Sequence, residues 1–225
     1  LIGNSMVIIK SAMGGLGKVF KGSKYKKEDY LSVIFLVSKL LKTLKAEGAV
    51  ALESHIENPE SSAIFSEYPP ILHDHGLLHL ICDTIRLMAV SSSNLSPYAV
   101  EDVMNASIKL HHHNELKAAE TWAGMEGALP ALGIVACVLG VVKTMGAIDQ
   151  PPPVLGALIG SALVGTFLGV FLAYGIAGPF ANRIKQVVDE EGEMYKMVMQ
   201  LIVANLHGHP MPLVIESARV CISHH

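Results

Sequence analysis

The apolar half of this sequence offers few groups that can do chemistry. Within the two apolar stretches, Ala128 to Ile148 and Val154 to Ala181, there is no Asp, Glu or His. Thr166 is the chief hydroxyl at mid-depth, with Ser161 and Tyr174 nearer the two faces. A hydroxyl can relay a proton or ligate a cation, but it cannot supply a countercharge in an apolar medium. If ions pass here, a second protein must bring the carboxylate that carries them. The plain alternative is that Thr166 bonds only its own helix backbone. Pro130 and Pro179 each delete a helix hydrogen bond and loosen their surroundings. They read either as helix punctuation or as a matched pair of hinges.

Other reactive types lead nowhere. His73, His75 and His79 include an i, i+4 pair, and His111, His112 and His113 are consecutive. No Cys accompanies them, and the spacing matches no closed zinc site, so no metal is expected. His224 and His225 read as the vestige of a tag. Gly14, Gly15 and Gly17 follow no strand and precede no GK[ST], so they do not make a phosphate loop. No nucleophile elbow and no paired catalytic carboxylates occur. The sequence contains no enzyme active site and calls for no cofactor.

The elements that hold these residues are unusually apolar. Val154 to Ala181 carries no charge, and Ala128 to Ile148 carries only Lys143. About 20 apolar residues suffice to cross a bilayer as a helix. Asp149, Gln150 and Pro151 to Pro153 join the two spans, so they form an antiparallel hairpin. Gly156, Gly160, Gly165 and Gly169 give the second span a smooth surface for helix packing. A pair of buried helices in a soluble protein is the alternative, but a soluble core helix rarely runs this long without charge.

Composition agrees with a membrane anchor on water-soluble material: 225 residues, 51% hydrophobic and 16% charged. The net charge of −3 gives no reason to expect nucleic acid as a partner. Cys82, Cys137 and Cys221 form no motif and are expected to be reduced thiols. Lys10, Lys18, Lys21, Lys24, Lys26 and Lys27 precede the hairpin, and Lys109, Lys117, Arg183 and Lys185 flank its open ends. The connecting loop has neither Lys nor Arg. The positive-inside rule then puts both flanks in the cytoplasm, and the lysine cluster within residues 3–27 suits anionic lipid headgroups. Lys143 lies near the outer end, where its amine can snorkel. Leu1-Ile2 reads as the tail of an upstream apolar segment, so further membrane helices are expected before it.

Outside the spans the periodicity is helical. Asp29 to Ala46, Val50 to Ile56, Ser61 to Ser66 and Leu72 to Val90 are expected helices, followed by a turn at Ser91 to Ser96. Ser96-Pro97 starts a helix that leads into the first span. After Pro179 the second span continues as a helix to Gly208 and Pro210, and Pro212 opens a short terminal helix. No strand pattern is present. The expected fold is all-α and membrane-integral, with a cytoplasmic helical domain at 1–124, the hairpin at 125–181 and a cytoplasmic extension at 182–225.

Three runs carry a resemblance: LESHIENPESSAIFSEYP, ALPALGIVACVLGVV and LVGTFLGVFLAYGIAGP. Together they resemble the MotA family, the ion-channel and torque-generating subunits of the bacterial flagellar stator, along essentially the whole chain. The resemblance implies four membrane helices, of which this chain holds the last two. It implies a homopentamer around a single-span, MotB-like partner whose aspartate accepts the ion, and a contact with the rotor protein FliG. Lys45 and Glu53 fall on the rotor-contact charges, Pro130 and Pro179 on the coupling prolines, and Thr166 on the pore-facing threonine. Thr166, Cys137 and Ala136 make up the implied ion pathway. Sodium-type relatives have threonine where this chain has Cys137, and a thiol is a poor ligand for a hard cation, which favours protons. Two alternatives remain: an energiser of the ExbB and TolQ kind, which lacks the IENP-containing domain, and a non-conducting membrane scaffold or metal sensor.

Overall fold

A computed structural model describes residues 5–90 and 96–221. Leu1, Ile2, His224, His225 and all but Ser96 of the expected 91–96 turn lie outside the described residues. Every regular element among the described residues is helical. The chain divides into two compact units, Leu1–Gly22 with Glu115–Val187, and Ser23–Asn114 with Val188–His225.

The first unit holds α1 (Met6–Lys21), the second half of α6 (Pro97–Met145), α7 (Pro152–Leu172), a π-helical turn (Ala173–Ala177) and the start of α8 (Gly178–Leu206). α1 lies within the basic segment 3–27, for which the sequence pattern suggested no particular element. Three glycines argue against a helix on propensity alone. One of them is required by packing: a Cβ on Gly15 would fall 3.1 Å from Ile184 Cδ1 and 3.4 Å from Ala118 Cβ. Trp122 adds a tie by donating its indole N–H to the Ala12 carbonyl at 3.1 Å. Phe180 stands edge-on to both Trp122 and Phe20, with centroids 5.3 and 6.4 Å away.

Only 6% of the most apolar stretch of α6 and 11% of that of α7–α8 are buried within the chain. A soluble core helix would be mostly buried. Leu132, Val135, Leu139, Leu163, Phe167 and Phe171 all stand exposed, as lipid-facing residues must.

The second unit is a conventional helical core. α2 (Lys27–Glu47) contributes Val33, Leu36, Val37, Leu40 and Leu41, and α5 (His75–Val90) contributes Leu77, Ile81 and Ile85. Met194, Met197, Val198 and Leu201 of α8 close it together with Val100 and Met104 of α6. α3 (Ala49–Glu57) follows α2 across Gly48, whose φ of +83° is a conformation other residues rarely adopt. α9 (Met211–Val220) packs Val214 and Ala218 into the same core.

Two expected helices differ in detail. Ser61–Ser66 is not one helix but lies between two 3₁₀ turns, Pro59–Ser61 and Phe65–Glu67. The Ser62 hydroxyl accepts from the backbone of Ile64 and Phe65 at 3.2 and 3.4 Å, competing with a helical ladder. The helix expected from Leu72 is split into α4 (Pro69–Leu72) and α5. Asp74 accepts from the Leu77 N–H at 3.3 Å and so caps a new start. The chain is an all-α membrane protein with two span-length helices and a helical domain.

Candidate functional site

The hairpin meets along a seam of small residues. On Gly133, a Cβ would lie 3.0 Å from the Gly165 carbonyl oxygen and 3.2 Å from the Thr166 and Gly169 Cα atoms. On Gly169, it would lie 2.7 Å from the Leu129 carbonyl oxygen and 2.9 Å from Gly133 Cα. Gly140 meets Ala162 in the same way, at 2.5 Å. The obstructing atoms at Gly133 and Gly169 are backbone, so neither position has room for a side chain. Gly165 and Gly169 are therefore structural parts of the seam. Gly156 and Gly160 are exposed, and among the described residues no other element comes within 4 Å of a Cβ there.

Thr166 sits on this seam. Its hydroxyl donates to the Gly133 carbonyl of the facing helix at 3.3 Å. It does not follow the usual pattern of a membrane threonine, which Thr144 does follow, donating to Gly140 of its own helix at 2.9 Å. Ala136 and Cys137 lie opposite Gly165: a Cβ there would be 3.1 Å from Ala136 Cβ and 3.7 Å from the Cys137 nitrogen. Thr166, Ala136 and Cys137 are thus gathered at one level of the hairpin.

Pro130 and Pro179 lie at the end away from the Asp149–Pro153 loop. Pro130 is inside α6 and α continues past it. Pro179 is the second residue of α8. A proline ring collides with the carbonyl four residues earlier, here that of Gly175. The chain widens at that point into the π turn Ala173–Ala177, in which the Gly178 N–H reaches back to the Ala173 carbonyl. Single π turns occur frequently at functional sites. Nothing in composition or period marks such a turn; a Gly-Pro pair inside a long helix is the sole hint.

A further residue at this end was missed in the sequence. The Glu126 carboxylate lies on the bare Cα of buried Gly178, where a Cβ would stand 2.7 Å from Oε1 and 3.2 Å from Oε2. The available signal was its position four residues before Pro130.

In the second unit, Lys45 lies in the last turn of α2 and Glu53 on α3, either side of Gly48. Both are exposed, and neither makes an ion pair or side-chain hydrogen bond with another described residue. Their neighbour Glu57 is engaged by Arg86 at 2.8 Å, and Arg86 also holds Asp83 at 2.6 Å. The His run splits up as a helix requires. His111 stacks on Tyr195 with centroids 4.6 Å apart, His112 meets Asp189 at 2.9 Å, and His113 is exposed. Among the described residues no three His, Cys, Asp or Glu side chains converge as a metal would require.

The strongest electrostatic cluster of the second unit is Asp74 with Lys24 at 2.8 Å and the Tyr25 hydroxyl. Burial pushes the Asp74 carboxyl up, but the hydrogen bonds from Lys24 and Tyr25 outweigh it, and the group is held below its ordinary value. Burial, with Tyr195 and Asp74 nearby, holds the Tyr25 phenol far above its own range, so it remains a donor.

The sequence has clear relatives. The model of the MotA/TolQ/ExbB proton channel family matches residues 76–197, and that of the Motility protein A N-terminal region matches residues 1–48. Motility protein A of Salmonella typhimurium is 37% identical over 219 residues, spanning 97% of this chain and 74% of that protein. The Escherichia coli Motility protein A gives the same identity and coverage. Among solved structures, the C. jejuni MotAB structure superposes with a TM-score of 0.73 at 20% identity, over 99% of this chain and 78% of that one.

Proposed function

The chain belongs to the MotA/TolQ/ExbB proton channel family and is a stator subunit of the bacterial flagellar motor, and we propose that it conducts protons and turns their passage into torque. The motility reading, rather than that of an ExbB-like energiser, is supported by the Motility protein A match at the N-terminal end and by 37% identity to motility proteins over nearly the whole chain.

One observation carries the mechanism. The seam holds a hydroxyl, Thr166, bonded across the hairpin, yet neither apolar stretch, Ala128 to Ile148 or Val154 to Ala181, contains an acid. A charge in the bilayer centre is costly without a partner. The carboxylate that takes the ion therefore comes from another chain, a single-span, MotB-like partner carrying a membrane aspartate. Thr166, with Ala136 and Cys137 beside it, lines the route past that aspartate. Each proton crossing releases about 2.3 kcal/mol per 100 mV.

Protonation changes the charge of the aspartate, and the two proline breaks give the hairpin places to bend in response. The inner-membrane hairpin is flanked by cytoplasmic segments, consistent with lysines before it and a loop without cations. On the cytoplasmic side Lys45 and Glu53 press on the charged rotor protein FliG. Several copies, five by family analogy, surround the partner, and lipid covers the remaining apolar faces.

Exchanging external sodium for potassium tests the ion. Rotation speed is expected to stay unchanged and to fall when the proton-motive force is collapsed. A speed that follows sodium overturns the proton assignment.

A further inference from the structure

We infer that Glu126 is the proton acceptor at the inner end of the pathway, the group that collects each proton passed inward along the seam and releases it to cytoplasmic water. This rests on the reading of the chain as a proton conductor. Glu126, Gly133 and Gly140 recur every seven residues on α6, and all three touch the facing helix. Glu126 therefore lies on the seam itself. It is two turns, about 10 Å, from Gly133, whose carbonyl receives the Thr166 hydroxyl.

Its seat depends on the facing residue being glycine. The side chain lies on Gly178 in space that even an alanine methyl would take. No cation pairs with it among the described residues. The nearest charged residues along the two helices are Glu120 and Arg183. Pro130 cannot donate to the Glu126 carbonyl, nor Pro179 to that of Gly175. Carbonyls deprived of their helical donor must take one from water or another group. Glu126, whose own carbonyl is one of the two, is the first acid reached on leaving the apolar stretch at this end, a place where a proton can pass from chain to water.

The transfer balances without electrons. The partner's protonated membrane carboxylic acid gives up its proton through water and the Thr166 hydroxyl. The Glu126 carboxylate takes it up and becomes a neutral acid. That acid then loses the proton to cytoplasmic water and returns to its charged form, so one proton has crossed.

The test uses the complete chain with its partner in motile cells, measuring rotation speed at low load, where ion transfer limits turnover, and the amount of the chain in the membrane. Glu126→Gln is expected to lower low-load speed at least tenfold at normal membrane amount, and Glu126→Asp to restore most of it. Gly178→Ala, which displaces the carboxylate but keeps it, is expected to slow rotation severalfold. Full speed in Glu126→Gln, or equal slowing by Gln and Asp, overturns the assignment. If Gln prevents accumulation, Gly178→Ala decides: slowed rotation at normal amount supports the acceptor, and unchanged speed overturns it. Wild-type rotation that tracks sodium instead overturns the proton reading, an outcome separate from proton-driven rotation that is indifferent to Glu126.

Discussion

At the scale of single residues, the structure distinguishes glycines that look alike in the sequence. A Cβ on Gly169 would face backbone atoms at 2.7 and 2.9 Å, whereas one on Gly160 would meet no other element among the described residues. Overpacking a tight contact costs about 1–3 kcal/mol. Gly169→Ala is expected to lower the melting temperature of the detergent-purified complex by several degrees. Gly160→Ala is expected to do so only if a neighbouring copy covers it, and the paired melts measure which. Asp74 makes a second residue-scale prediction. Its folded-state pKa is depressed, so its contribution is complete above the ordinary carboxylate value of about 3.9 and is lost as pH falls through the lower, folded one. Hydrogen bonds to charged groups contribute about 1.5–3 kcal/mol. Asp74→Asn is expected to melt lower than wild type at pH 7, with the gap closing on acidification below pH ~4.

At the scale of elements, the long helices were legible and their irregularities were not. The long apolar runs, one free of charge and one with Lys143 alone, announced both spans, and the period-3.6 pattern located α2 and α5 within a few residues. α1 was hidden because Gly14, Gly15 and Gly17 weigh against a helix, while the reason for one of them, Ile184, lies 169 positions away in sequence. The π turn was invisible because it is a response of the backbone to a ring, not a pattern of side chains. Glu126 escaped for a similar reason: it stands outside the apolar run, and its partner is a glycine that carries no chemical signal. Pro130 yields the prediction at this scale. A proline inside a helix costs about 3 kcal/mol relative to a residue that can donate. Pro130→Leu is expected to leave membrane accumulation normal and thermal stability equal or higher, yet to abolish swimming. Normal motility in that variant removes the hinge.

At the scale of the whole molecule, the sequence foretold a chain that cannot work alone. Two spans with a hydroxyl and no acid need a foreign carboxylate, and apolar stretches of which only 6% and 11% are buried need lipid and neighbours. The proposed rotor contact belongs to this scale as well. Lys45 and Glu53 are exposed and make no side-chain bond with another described residue, so changing them is expected to alter stability by less than about 0.5 kcal/mol. Reversing both charges is expected to abolish torque in a motility assay while membrane assembly and partner co-purification persist. Complementary reversals on the rotor protein are expected to restore it.

The π turn also sets a phase. One surplus residue in a helix rotates all that follows by about 100°, a single step of the 3.6-residue period. Gly178, Phe180 and Ile184 meet Glu126, Trp122 and Gly15 only because that offset is present. Excising one residue from Ala173–Ala177 would leave every side chain chemically intact and turn these contacts away together, so the segment tolerates substitution far better than a change of length.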